Sequence, residues 1–240
     1  MAIRILLVLC FALTSFTSTT KKSDDFSKSQ LLASAVIKKV DKADTAETLY
    51  NTIDSNNFQM PSYECFSKGI QGFNRLKASG MVTKEYLTIV DYSLPSTTKR
   101  LWIIDLKNNK IIMNSLVAHG KNSGQNYANS FSNSNESNKS SLGFFITGET
   151  YMGKHGLSLK LDGMQRGLND HARARSIVMH AADYVTEAFA RAHNRLGLSH
   201  GCPALPPNLS AQIIAMLKGK SCLFIYHPSM NNNDAFRSVA

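Results

Sequence analysis

Three short runs, Tyr86–Tyr92, Leu101–Leu106 and Lys110–Val117, are dense in β-branched and aromatic residues. Such runs suit a pleated, half-buried backbone better than a helix. Asn108-Asn109, between the last two, supplies a tight polar turn of the kind that joins antiparallel strands. The chain from Lys84 onward therefore opens as a β-meander. Later segments continue in the same manner: strand character returns at Leu142–Ile146, Ser158–Leu161, Arg175–His180 and Ser221–Tyr226. Two helices are expected among them. One spans Tyr184–Asn194, with Asp183 as cap and Gly197 as stop; the other runs from Pro206-Pro207 through Leu217 to Gly219. The segment from Asn122 to Ser141 is mostly Asn and Ser and cannot bury much apolar surface, so it is a long loop, either solvated or in contact with a substrate.

Before Lys84 the pattern is helical. Leu31, Leu32, Ala35, Val36, Val40, Ala43, Ala46, Leu49, Tyr50 and Ile53 recur at helical spacing, with Lys38, Lys39, Asp41, Lys42 and Glu47 on the other face. Pro61-Ser62 opens a second helix, Tyr63 to Leu76, ended near Gly80. The resulting fold class is mainly β with peripheral helices (α+β), preceded by a helical N-terminal extension over residues 21–83.

The first twenty residues read differently again. Arg4 leads into an apolar run from Ile5 to Leu13, and hydroxylated residues succeed it from Thr14 to Thr20. That order is the layout of a secretory signal peptide over residues 1–20, which would remove Cys10 with it. No later run reaches the roughly 18 apolar residues that a membrane span needs, so no stable transmembrane anchor is expected. Export to a periplasm or cell envelope places Cys65, Cys202 and Cys222 in an oxidising compartment, where an odd number leaves one thiol over. Cys65 and Cys222 could pair, or Cys222 could be a buried inert thiol within its strand. The formal charge of +10 and pI near 9.5 call for an anionic partner. A polyanionic envelope surface fits an exported chain better than nucleic acid, for which there is no binding motif.

The chemistry concentrates in Ser199-His200-Gly201-Cys202-Pro203. A nucleophilic cysteine needs access, a base, and backbone N–H groups for the oxyanion. Gly201 lets the backbone turn sharply, and Pro203 holds the next stretch of backbone fixed. His180, closing an apolar strand, is the expected base. His200 is the other choice, although neighbours this close in an extended loop tend to point apart. His155 and His171 lie in loops and could touch substrate. No Cys-x-x-Cys, His-Glu-x-x-His or compact four-ligand set is present, so neither metal nor other cofactor is expected.

His180 followed by Ser199-His200-Gly201-Cys202 resembles the signature of L,D-transpeptidases with a YkuD-type catalytic domain. The resemblance covers residues 84–228 and leaves 229–240 as a polar tail. It includes the meander and Ser141-Leu142-Gly143-Phe144-Phe145, in the position of the family's Thr-Pro-x-Gly-x-Phe segment. Gly153-Lys154-His155-Gly156 and Cys202-Pro203-Ala204 are similar to the murein L,D-transpeptidase branch. Two residues depart from the pattern: Ala204 stands where the family has an arginine, and Ser141-Leu142 replaces Thr-Pro. A substrate-positioning cation would then come from Arg173, Arg175 or Arg195.

The resemblance implies a β-sandwich catalytic domain acting on peptidoglycan stem peptides. His180 would accept the thiol proton, and Cys202 would attack the third-residue carbonyl of a tetrapeptide stem. The N–H groups around Gly201 and Cys202 would hold the oxyanion. Ser199 and His200 would shape the pocket, and Lys154, His155 and Arg175 would contact substrate. An amine acceptor makes a transpeptidase, water a carboxypeptidase, and a dispensable Cys202 a non-catalytic wall-binding protein. Papain-like and NlpC-type peptidases place cysteine before histidine, and sortases need an arginine downstream of the cysteine, where only Arg237 is available.

Overall fold

The computed structural model describes residues 46–230. The proposed signal segment, the first part of the N-terminal helix and residues 231–240 lie outside the described residues. Residues 46–52 are helical and lead to an extended stretch in which Asp54 bridges Lys110. Helix α1 (Tyr63–Ala78) comes next, with Ser62 as its N-cap accepting the Cys65 N–H, as the Pro-Ser start predicts. It turns Phe66, Ile70, Phe73 and Leu76 into the core of the β-domain. Gly72 permits the close approach, because a Cβ there would lie 1.9 Å from the Phe144 ring.

Eight strands make one sheet. They are β1 (Tyr86–Asp91), β2 (Leu101–Asp105), β3 (Lys110–Ser115), β4 (Gly143–Gly153), β5 (Gly156–Gly163), β6 (Val178–Ala181), β7 (Ala204–Leu205) and β8 (Cys222–Tyr226). Their order is β3-β2-β1-β8-β4-β5-β6-β7. The pairs β1–β8 and β6–β7 are parallel and the rest antiparallel. Beyond β3, Ala118 bridges Ala204 and Gly120 bridges Ser199, so the two ends of the sheet meet and the whole is nearly closed, like a barrel. The fold is mainly β with helices at its periphery, as the sequence predicts.

The central strands are apolar on both faces. All residues of β2 and β8 are buried, and Phe144 stacks on Phe224 at 4.3 Å. Burying each such side chain contributes about 1.5–3 kcal/mol before chain entropy is charged against it.

Several expectations need correction. The Ser158–Leu161 strand is part of a long hairpin, because β4 runs on to Gly153 and pairs with β5 across a tip formed by Lys154-His155. Strand β6 begins only at Val178 and continues one residue past His180. Helix α2 is Glu187–His193, capped by Thr186 rather than Asp183 and ended by left-handed Asn194. Gly197 serves a different purpose from a helix stop: a Cβ there would sit 2.3 Å from Tyr184. Strand β7 has too few residues to leave a local pattern. Helix α3 (Pro207–Leu217) matches its expected span.

Candidate active site

The segment that carries Cys202 hangs on the backbone just beyond β3. Ser199 N–H donates to His119 O at 2.9 Å, Lys121 N–H to Ser199 O at 2.8 Å, and Ala118 N–H to Ala204 O at 2.9 Å. Within the segment, Ser199 Oγ accepts the Gly201 N–H at 3.1 Å and donates to Cys202 O at 2.7 Å. Gly201 has φ +121°, and a Cβ there would stand 2.7 Å from Lys139 O. Left-handed backbone and lack of room both demand glycine at this position.

The thiol is half-buried and meets the chain where it enters β6. Val178 N–H lies 3.5 Å from Sγ, and Sγ is 3.7 Å from Ser176 O. Burial pushes the thiol above its ordinary pKa, while the Val178 N–H and then the Arg175 and Lys154 charges pull it back. The upward effect wins, so the thiol is mostly protonated at neutral pH and needs a base.

His180 is buried on β6, opposite Ala204 of β7 and Ser158 of β5. Its Nδ1 lies 2.8 Å from Ala181 O. A carbonyl can only accept, so Nδ1 carries the proton and Nε2 is left as the acceptor. Burial lowers the His180 pKa, and nearby His155 and Lys154 lower it further against the Ala181 bond. The imidazole is therefore neutral at physiological pH. Among the described residues the thiol's hydrogen bonds run only to Ser176 and Val178, and none joins it to His180.

The other expected residues divide clearly. The Gly201 N–H is taken by Ser199 Oγ, whereas the Cys202 N–H has no partner among the described residues. His200 is exposed. Lys154 and His155 occupy the hairpin tip, and the His155 ring stacks on His180 at 4.5 Å. Arg173 is held by Glu149 and Asp162, and Arg195 donates to Leu196 O. Arg175 is the cation beside the thiol. It donates to Ser132 O and Lys139 O, each at 2.7 Å, and to the hydroxyls of Ser137 and Ser141. His171 is exposed and meets Asn133 through its backbone N–H.

The Asn/Ser-rich loop is packed against the site rather than freely solvated. Ser123, Ala128, Ser140 and Ser141 are buried, and Ser140 Oγ accepts the Gly120 N–H while donating to Gly201 O at 3.3 Å.

Sequence reasoning missed the polar support beneath. Fully buried Arg100 donates to Val117 O, to Leu94 O, and to His119 Nδ1 at 2.8 Å. His119 Nε2–H then donates to Gly124 O. Burial, with the Arg100 charge, lowers His119 to about 4; burial lowers Arg100 to about 10. Tyr92 completes the cluster, its hydroxyl on Ala118 O and its ring 4.8 Å from the Arg100 guanidinium. The available signal was a lone arginine opening one apolar strand and a histidine just past its neighbour.

Cys65 and Cys222 are free and buried, and burial raises both thiols. Among the described residues no His, Cys, Asp or Glu group is placed to hold a metal ion, and no helix is long and apolar enough to cross a membrane.

A family model for the L,D-transpeptidase catalytic domain matches residues 57–226. No curated protein is similar enough to count as a match. Among solved structures, an L,D-transpeptidase from Stackebrandtia nassauensis is 14% identical, with a TM-score of 0.37 over 78% of this chain and 90% of that one. An L,D-transpeptidase from Mycobacterium smegmatis is 13% identical, with a TM-score of 0.36 over 60% of this chain and 59% of its own length. Mycobacterium tuberculosis L,D-transpeptidase 1 is 12% identical, with a TM-score of 0.34 over 58% of this chain and 60% of that one. The chain thus spans less than two thirds of the mycobacterial proteins it matches.

Proposed function

This chain belongs to the L,D-transpeptidase catalytic-domain family, and on that premise we propose that it transfers peptidoglycan stem peptides through a thioester on Cys202. The observation that carries this reading is a half-buried thiol, on a loop that only glycine can form, in contact with the start of the strand that holds a neutral histidine whose Nδ1 is already committed to Ala181 O. His180 Nε2 takes the thiol proton as Sγ attacks the third-residue carbonyl of a tetrapeptide stem. The free Cys202 N–H receives the developing oxyanion, a contact worth several kcal/mol when preorganised. The carbonyl re-forms, the bond to the terminal D-alanine breaks, and His180 returns the proton to the departing amine. An amine from a second stem then attacks the thioester and loses its proton to His180, and the thiolate is released to regain one.

No third acid is required, because the Ala181 carbonyl already fixes the imidazole tautomer. Ser199, whose hydroxyl braces the Gly201-Cys202 turn, and exposed His200 shape the pocket. Lys154 at the hairpin tip and Arg175 beside the thiol supply the positive charge missing at Ala204, while His155 lies on the His180 ring. Residues 84–228 form the catalytic unit, with α1 from the helical extension completing its core. Export to the envelope, after loss of residues 1–20 and with them Arg4, brings a strongly basic chain to an anionic wall.

The test is mass spectrometry of stem-peptide fragments incubated with the protein and with Cys202→Ala. Dimers joined between two third-position residues, absent with the variant, are expected. Loss of terminal D-alanine without dimers would make water the acceptor. Binding without any change in either sample would replace catalysis with wall attachment.

A further inference from the structure

The β4–β5 hairpin closes through Gly153 and Gly156, leaving Lys154-His155 as its tip. Gly156 takes φ +77°, which returns the chain toward Ser158, the residue paired with His180 across β5–β6. The tip folds His155 back over the sheet edge. Its ring lies on the face of His180, with centroids 4.5 Å apart and planes inclined by 23°.

His155 is itself exposed and makes no hydrogen bond among the described residues. Its neighbour Met152 is 76% exposed, so this end of the hairpin is not a buried core. An exposed histidine whose ring rests on the face of the base has little to contribute to folding.

We propose that His155 is a positioning residue for His180: its ring covers one face of the imidazole, excludes water there, and holds Nε2 in a single orientation. The edge of the same imidazole is fixed by Ala181 O at 2.8 Å, so the two contacts together restrain both the position and the tilt of the ring. The inference rests on His180 serving as the base of the proposed reaction. The titratable and charged groups that act on His180 are His155 and Lys154, both from the hairpin, and each disfavours the protonated ring.

The experiment compares the full chain with His155→Ala and His155→Phe. The His180 ring is titrated by NMR without substrate, and stem-peptide turnover is measured beside it. Phenylalanine keeps the stacking face and removes the nitrogens. The wild-type midpoint is expected below the ordinary histidine value. His155→Ala should raise it by admitting water, with kcat down about tenfold and KM within about twofold. His155→Phe should hold the midpoint low and retain most of kcat. An unchanged midpoint in His155→Ala, or a His155→Phe that behaves like His155→Ala, would overturn the proposal. If no protein turned over stem peptide, the transpeptidase reading would fall, and the titration would still decide whether His155 governs the ring.

Discussion

Cys222 begins β8 in the middle of the sheet, and Cys202 stands just ahead of β7 at its end. The two thiols share a sheet and nothing else. Around Cys222 every residue of β8 is buried, its strand pairs on both sides, and burial alone sets its pKa. Around Cys202 the strands are four and two residues long. There a glycine holds a left-handed turn, and the charges of Arg175 and Lys154 act on the sulfur. On the proposed reading, the reactive thiol sits where strand pairing is short and polar groups supply the support. The cysteine takes its character from that setting.

The largest effect should separate the two thiols. Cys202→Ala is expected to cut transfer by roughly 10³-fold or more. Cys222→Ala should keep turnover within about twofold and cost stability, on the order of 1–2 kcal/mol by denaturant unfolding. Comparable losses of turnover in both would dissolve the contrast.

The polar prop can be tested by pH. Folded His119 titrates at about 4 against an ordinary 6.5, so between those values the unfolded chain binds more protons. Stability should therefore rise with pH across that window, be flat above it, and be lost as pH falls through 6.5 toward 4. The full effect is about 3 kcal/mol. His119→Gln should flatten that slope in denaturation curves taken across the window.

Two glycines sharpen the contrast further. Gly201→Ala forces a side chain onto Lys139 O in left-handed backbone. It should cost about 1–3 kcal/mol and lower turnover by about 10²-fold through displacement of the thiol. Gly72→Ala, driven into the Phe144 ring, should cost a similar 1–3 kcal/mol yet leave the turnover of folded protein nearly intact. The smallest effect belongs to Lys154→Ala. Removing that charge should raise the Cys202 pKa and slow its alkylation at neutral pH by about two- to fivefold.

The β3-β2-β1 end of the sheet was legible in the sequence, and the end that carries the candidate site only in part. Strands β1 to β3 and helix α1 carry their own periodicity, caps and turns, so local reading recovers them. His180 and Cys202 drew the reading because a histidine at the end of an apolar run and a Gly-Cys-Pro turn each have a local physical meaning, although β6 continues one residue past His180. Strand β7 exists only through its pairing with β6 and the bridge to Ala118. Arg100 and His119 meet across the fold at 2.8 Å, a contact that no local pattern records. Gly197 misled for a related reason, since its need for space comes from Tyr184, which the structure leaves ahead of the helix rather than at its start.

The most direct test of the account is intact-mass spectrometry of the protein quenched in acid after brief mixing with a tetrapeptide stem. A thioester adduct equal to the stem less its terminal D-alanine, mapped to Cys202 and lost on hydroxylamine treatment, is the predicted result. Cross-linked product without such an adduct, or product persisting in Cys202→Ala, would contradict it.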